Sequence, residues 1–469
     1  MVPKEELRKL DKEQLVDLVY GLIIMVDKLT AEVQELREEV KRLKTPKNSG
    51  NSSLPPSHDL FRFKNQSLRE KSNKKSGGQP GHKGETLLMS PNPDKTIVHR
   101  PDPKCPQCGK VHTDEPDDII GKRQVIDIPI IKASIIEHQI SQTTCKCGYV
   151  STGDFPAEVS APVQYGNNLI ALTAYLSSRQ YVPYSRLTEL LSSITNISMS
   201  EGTIFNILNK AANIVLPIYE GIKEEVGNAS TVGGDESGVK VKNENYWAWT
   251  WQTLLATYIV ITKSRGFITV DKVFPNGFPN STFVSDAWGA QLKTVSKRHQ
   301  LCLAHLLREL NYFEQTFHHK WTMDITDLLK RAIVLKNRMT EQQYAEPLAE
   351  RTEILKEFGI LINQTLPDKV SKIFPFQKRL KKRQHQVFNF LFYPDVPYDN
   401  NGSERAIRNI KVKQKVSGSF RSERGSEIFA ILRSVFDTTI KKGGNPFETI
   451  RFAVNLAACK NEFQAVRRR

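Results

Sequence analysis

The sequence predicts a multidomain chain in which a mixed α/β core with a helical insertion follows a coiled coil, a basic linker, a small cysteine-rich module and a helical region. Three observations predict it. Leucines and valines recur in a heptad near the N-terminus, two cysteine pairs flank a β-rich interval, and strand-like runs in the second half end on or contain acidic residues. At 469 residues the chain is too long for one compact core, so several domains are expected. Lys and Arg number 67 against 51 Asp and Glu, a net charge of +16 with pI near 9.4. That balance favours a polyanionic partner, nucleic acid before membrane. The N-terminus is charged from its first residues and no apolar run approaches the roughly 20 residues that span a bilayer. The expected location is cytoplasmic, nucleoid-associated when bound to DNA, with reduced cysteines unless they hold metal.

Residues 1–44 come first. Leu15, Leu22, Leu29, Leu36 and Leu43 recur every seventh position, with Val19, Val26, Val33 and Val40 interleaved. Valine at one seam position and leucine at the other favours a parallel two-stranded coiled coil, hence a homodimer or higher assembly. Residues 45–104 change composition: nine of the 24 prolines lie between Pro46 and Pro106, among Ser, Asn, Gly and Lys. Such a segment buries too little apolar surface to offset ordering and reads as a flexible linker. Its stretch 61–84 holds seven Lys or Arg against one Glu, and Lys74, Lys75 and Lys83 are candidate phosphate contacts.

Residues 105–160 contain Cys105 and Cys108 in "CPQCG" and, 36 residues on, Cys145 and Cys147 in "CKCG". Each pair sits in a turn closed by glycine, as thiolates converging on one tetrahedral Zn²⁺ require. The interval "QVIDIPIIKASIIEHQI" reads as strands, which suits a zinc ribbon. The second pair is one residue shorter than the commoner spacing, and His112 or His138 is an alternative ligand. Residues 161–228 read as helices, with a break at "TNIS" and Ser200 as the cap of the next helix. Two helices so joined resemble a helix-turn-helix that would place its second helix in a major groove.

The segment 229–436 carries the α/β pattern. Asp235 lies in a strand-like run, where alternate side chains face opposite sides, so it sides with Val239 and Val241 while Glu236 sides with Lys240 and Lys242. This predicts Asp235 on an apolar face and Glu236 on a wet one. "YWAWTWQT" and "TYIVITKS" are two further strands, and "STFVSD" ends a fourth on Asp286, where strands give out and ligands commonly bind. In "YDNNGSERAIRNIKVKQK", Asn400 or Asn401 can cap a helix with Glu404 on its first turn. Three strands in series, a fourth ending in Asp and a helix offering Glu outline an RNase H-like core. Carboxylates gathered without cations repel one another; Mg²⁺ or Mn²⁺ would relieve this, since hard cations take oxygen ligands. Arg265, Arg405, Arg408, Lys411 and Lys413 would form a basic surface beside the acids. Residues 437–469 read as a helical tail.

These motifs together resemble the transposase of the insertion sequence 66 family: "KNSGNSSLPPSHD", "GGQPGHKG", the cysteine module, "DESGVKV", "VSDAWGA", "RHQLCLAHLLREL" and "NNGSERAIRNIKVKQK" occur in the family's order over nearly the whole chain. The resemblance implies a DDE transposase with an RNase H-like core, whose acids by motif are Asp235, Asp286 and Glu404. It implies two-metal-ion phosphodiester hydrolysis at element ends and strand transfer into target DNA, with double-stranded DNA and accessory element-encoded proteins as partners. The spacings are 286 − 235 = 51 and 404 − 286 = 118; the second is long, so residues from about 312 to 390 should be a helical insertion. Cys302 and His305 match a C-x-x-H pattern seen after the second acid in such enzymes, with packing or positioning expected of them. Glu423 and Glu427 are rival third acids. The alternatives are an RNase H-like nuclease that only hydrolyses, and a non-catalytic, domesticated DNA-binding protein.

Overall fold

Residues 11–48, 50–52, 81, 87–100, 102–111, 119–156, 158–366 and 372–467 are described by a computed structural model. Helix α1 (Lys12–Lys44) runs unbroken through the heptad, and its leucine and valine seam is exposed on the single chain. The turn that follows is held on the body rather than free, a departure from the flexible linker expected there. Asn51, 1% exposed, donates through Nδ2 to Gln315 Oε1 at 3.1 Å, and Asn311 Nδ2 donates to the Gly50 carbonyl at 3.0 Å. Asn48 closes the turn by accepting from the backbone N–H of Gly50 and Asn51. Polar side chains thus supply the order that apolar surface could not.

In the cysteine module the two turns form as expected: Gly109 and Gly148 take positive φ and donate back to the carbonyls of Cys105 and Cys145. Among the described residues a short antiparallel pair, β1 (Gln142–Thr144) with β2 (Val150–Thr152), accompanies the second turn, and a single antiparallel bridge between Lys104 and Val111 accompanies the first. The interval expected to be strands is otherwise unpaired and exposed over its described residues 119–141. A β-like composition makes a strand only where a second strand lies beside it.

Four elements of helix precede the central sheet: α2 (Asn167–Ala174), a π-helical turn (Tyr175–Arg179), α3 (Tyr184–Thr195) and α4 (Glu201–Gly227). Ser200 caps α4 by accepting from the Thr203 N–H, as its sequence position predicts. One face of α4, from Ile204 to Val226, is buried in the same core as Trp249, Trp251 and Tyr258 of the sheet. The helical region and the sheet therefore share a core.

The sheet has five strands in the order β5-β4-β3-β6-β7. β3 (Thr231–Val241), β4 (Glu244–Gln252) and β5 (Thr257–Thr262) form an antiparallel meander, and β6 (Phe278–Ser285) and β7 (Ser296–Leu301) lie parallel beside β3. The β3–β4 loop has two residues, Lys242 and Asn243, both at positive φ, as a tight hairpin turn requires. This mixed order is compatible with an RNase H-like core. Helices α5 (Phe267–Val273) and α6 (Gly289–Leu292) lead into β6 and β7. After β7 come α7 (Leu303–Phe317), α8 (Lys320–Arg338), α9 (Glu341–Ala345), α10 (Ala349–Asn363) and α11 (Ile373–Lys382), which build a second core around Trp321 and Phe376. These helices occupy the interval, about 312–390, in which the long acid spacing led to the expectation of a helical insertion. The chain then returns to the sheet through α12 (Asn401–Ser417), α13 (Glu423–Lys441) and α14 (Pro446–Arg467).

Both faces of the sheet are covered. Val239 and Val241 pack against Ile407 and Ile410 of α12, whereas Val232, Trp249 and Trp251 face the core shared with α4 and α5. Glu236 is buried rather than wet, although Lys240, farther along the same strand, and Lys242, just past its end, are exposed, and that is the main correction to the strand reading.

Candidate active site

Two glycines ahead of Asp235 let other elements approach β3 closely. A Cβ on Gly234 would stand 2.5 Å from the buried Phe283 ring, and one on Gly233 would stand 2.7 Å from Asn400 Oδ1 and 2.8 Å from Ser403 Oγ. With glycine at both positions, Asn400 donates through Nδ2 to the Gly234 carbonyl at 2.6 Å and accepts from Ser403 Oγ at 2.7 Å. Asn400 stands at the N-cap of α12 as the sequence suggests, but its side chain ties the helix to β3 instead of capping it. Glu404, on the first turn, is thereby carried to the sheet.

Asp286 follows the last residue of β6. Because β3 and β6 are parallel with Gly233 opposite Val284, Asp235 and Asp286 lie two residues beyond a paired position on neighbouring strands. Asp286 Oδ1 accepts from the Trp288 N–H at 2.9 Å, and Asp235 Oδ1 accepts from the Glu236 N–H at 2.9 Å. Cys302 closes the floor: its N–H donates to the Ser285 carbonyl, and its sulfur accepts from the Asn400 N–H at 3.2 Å. Burial pushes its thiol up to about 12, so it packs rather than reacts.

Residues 302, 305 and 308 lie at helical spacing on one side of α7. Arg308 donates to both oxygens of Glu404, at 3.1 and 3.4 Å, and its other nitrogen lies 3.3 Å from His305 Nε2. Arginine only donates, so Nε2 accepts and the imidazole proton sits on Nδ1. Burial, then the charge of Arg308, holds His305 below its usual pKa. Its Nδ1 has no hydrogen-bond partner and lies 3.9 Å from Glu404 Oε1, too far for a hydrogen bond.

Neighbouring carboxylates raise the pKa of Asp235 and of Glu236. Asp235 stands well above the usual range, through lost hydration first and then the charges of Glu236, Asp286 and Glu404. Glu236, 8% exposed, is pushed up to about 7 by burial and by Asp286, against the opposing pull of Arg265. It accepts from Arg265 at 3.0 and 3.1 Å and from Gln291. Among the described residues no three His, Cys, Asp or Glu are gathered closely enough to hold a metal ion. The acids do share a region of unfavourable negative charge, and hard carboxylate oxygens with no neutralising cation of their own on Asp235 and Asp286 fit Mg²⁺.

A family model described as the transposase IS66 family matches residues 162–428, more than half of the chain. The chain belongs to that family. Its members are transposases, so the family implies a DNA-cleaving enzyme. The match spans the helices before the sheet, all five strands and the start of α13. Residues 2–87 match a family of unknown function (DUF6444). None of the curated proteins matches the chain.

The basic residues proposed for DNA divide. Arg405 and Arg408 are exposed on α12. Lys413 is 8% exposed and lies over the Tyr184 ring, and the half-buried Lys411 donates to the Gly238 carbonyl. Arg265 is engaged by Glu236 and stacked between Trp247 and Trp288. These three are packed residues more than surface cations. Lys74, Lys75, Lys83 and His112 lie outside the described residues. Glu423 accepts from Tyr246 and Glu427 pairs with Arg424, so both rival acids are engaged elsewhere. Sequence reasoning missed Arg308 and Gln291. Arg308 was discoverable from its i+3 spacing after His305; Gln291 gave no local signal.

Proposed function

We propose that this chain is a DDE DNA transposase that cleaves phosphodiesters at the ends of its element and joins the freed 3′-hydroxyls to target DNA. The observation that supports the reading is that Asp235 on β3 is raised by the charges of Asp286, just past the parallel β6, and of Glu404 on the returning helix α12. Those three acids would hold Mg²⁺ or Mn²⁺, which when bound supplies Lewis-acid stabilisation of charge at phosphorus. The chain's own groups orient the acids. Arg308 fixes both oxygens of Glu404, Asn400 and Cys302 lock the start of α12 to the sheet, and the Trp288 N–H holds one oxygen of Asp286. His305 presents a neutral Nδ1–H beside Glu404, suited to donate to a phosphate oxygen. Arg405 and Arg408 offer exposed charge to the DNA backbone.

In the N-terminal half, Cys105, Cys108, Cys145 and Cys147 would hold one structural Zn²⁺; their glycine-closed turns support this. The exposed heptad seam of α1 would pair two chains, bringing two active sites to two DNA ends.

The deciding experiment incubates the full chain with a duplex carrying the genomic DNA that flanks its coding sequence, with Mg²⁺. Cleavage leaving 3′-hydroxyls, followed by joining to a second duplex, is the expected result. Hydrolysis without joining, using ends supplied with free 3′-hydroxyls, would reduce the protein to a nuclease, and binding alone would leave the non-catalytic reading.

A further inference from the structure

A cavity of about 180 Å³ opens beside Asp286, walled by Ala287, Trp288 and Leu306, with His305, Glu309 and Arg379 supplying its polar groups. Asp286 lines it, whereas Asp235 and Glu404 do not. The space therefore flanks the three acids and is not itself the position of the reacting phosphate. We propose that it receives one DNA base, unstacked from the duplex next to the phosphate being cleaved. The inference rests on reading the acids as a DNA-cleaving site.

Size, shape and polarity point the same way. An apolar cavity of about 150 Å³ holds a benzene ring, so this one accepts a six-membered heterocycle. Trp288 offers an aromatic wall and is still 39% exposed. Its position is set twice over. Its N–H is bonded to Asp286 Oδ1, and Arg265, itself anchored by Glu236, lies 3.8 Å from the ring centre. The ring is thus registered to the carboxylate that would sit at the scissile phosphate. Glu309 and Arg379 pair at 2.6 Å and cancel each other's charge, so the cavity has little attraction for a bare anion. They do provide an acceptor and donors for the edge of a base, and His305 carries a buried Nδ1 without a hydrogen-bond partner. A flat group, apolar on its faces, polar at its edge and tethered to a phosphate, is a nucleobase. A stacked base cannot reach such a pocket, so it must leave the helix, which costs least where pairing is weak. Capture of that base would fix which phosphate meets the acids.

The test uses the full chain, Mg²⁺ and a duplex of the DNA flanking its coding sequence. Ala287→Leu fills the cavity, Trp288→Ala removes its wall, and Trp288→Phe keeps an aromatic face. Ala287→Leu and Trp288→Ala should cleave the intact duplex roughly tenfold or more slowly, the scale of one lost stacking contact, while Trp288→Phe stays close to the parent rate. An abasic residue at one position beside the cleaved phosphate should restore Ala287→Leu to the parent rate, since no base then needs the space. Photocrosslinking from 5-iodouracil at that position to Trp288 of the parent protein reads the same contact without relying on the variants. Parent-like cleavage by Ala287→Leu, or slow cleavage unrescued by an abasic residue at every position and no crosslink, would overturn the inference while leaving the cleavage reading intact. A parent protein that cleaves no flanking duplex overturns both.

Discussion

Four carboxylates, Asp235, Glu236, Asp286 and Glu404, share one corner of the sheet, and their charges oppose one another. Asp235→Asn, Asp286→Asn and Glu404→Gln each keep size and lose charge. Each should abolish cleavage by orders of magnitude while DNA binding persists in gel-shift assays, with effects far from additive because the three act together. Arg308→Ala removes the partner that orients Glu404 and should cost roughly 10–100-fold in cleavage, as loss of an outer-shell partner commonly does. Glu236 makes a separate, pH-dependent prediction. Its pKa rises from 4.5 to about 7 on folding, so the folded state binds the extra proton between those values. Stability of the metal-free protein should therefore fall as pH rises from 4.5 to 7, by roughly 1–3 kcal/mol from this group. Glu236→Gln should flatten that slope in urea titrations; an unchanged difference between pH 4.5 and 7 would show that Glu236 is not the group responsible.

Elements carry the next level of specification. β3 meets Phe283 on one side and α12 on the other through adjacent glycines. Phe283 is a rigid ring in a packed core and cannot yield cheaply, so Gly234→Ala should destabilise the fold by about 1–3 kcal/mol, measured as a lower urea midpoint. The polar turn after α1 is held to α7 by Asn51 and Asn311, and α7 also carries His305 and Arg308. Asn51→Ala should raise hydrogen exchange through residues 46–52 and leave the five-stranded sheet protected. Faster exchange confined to the sheet would contradict this docking role.

At the scale of the whole molecule, two associations follow from exposed features. The α1 seam, with Leu22 and Leu29 open on the single chain, should lose self-association in sedimentation when Leu22→Pro or Leu29→Pro breaks the helix. A monomeric parent protein at high concentration would remove the dimer from the reading. Purified protein should carry one zinc per chain, lost with Cys105→Ser; zinc-free protein of unchanged local structure would leave the four cysteines without that role. No helix among the described residues is long and apolar enough to cross a membrane.

Much of this was legible in the residues themselves. Heptad spacing, the Ser200 cap, the strand leading to Asp286 and the glycine-closed cysteine turns are local patterns, and local geometry follows from local chemistry. The 118-residue gap between Asp286 and Glu404 marked out an interval longer than a core needs, and that interval is helical. Tertiary structure decided what depends on a second surface. β7, with its polar "SKRHQL" composition, was not read as a strand; it forms because Gln300 donates to the Val387 carbonyl and β6 pairs beside it. Glu236 looked wet by alternation, yet Arg265 and Gln291 close over it and bury it. Lys411 and Lys413 looked like DNA contacts, yet one reaches the Gly238 carbonyl and the other lies over the Tyr184 ring. Periodicity reports which residues share a face; only the packed fold determines what that face meets.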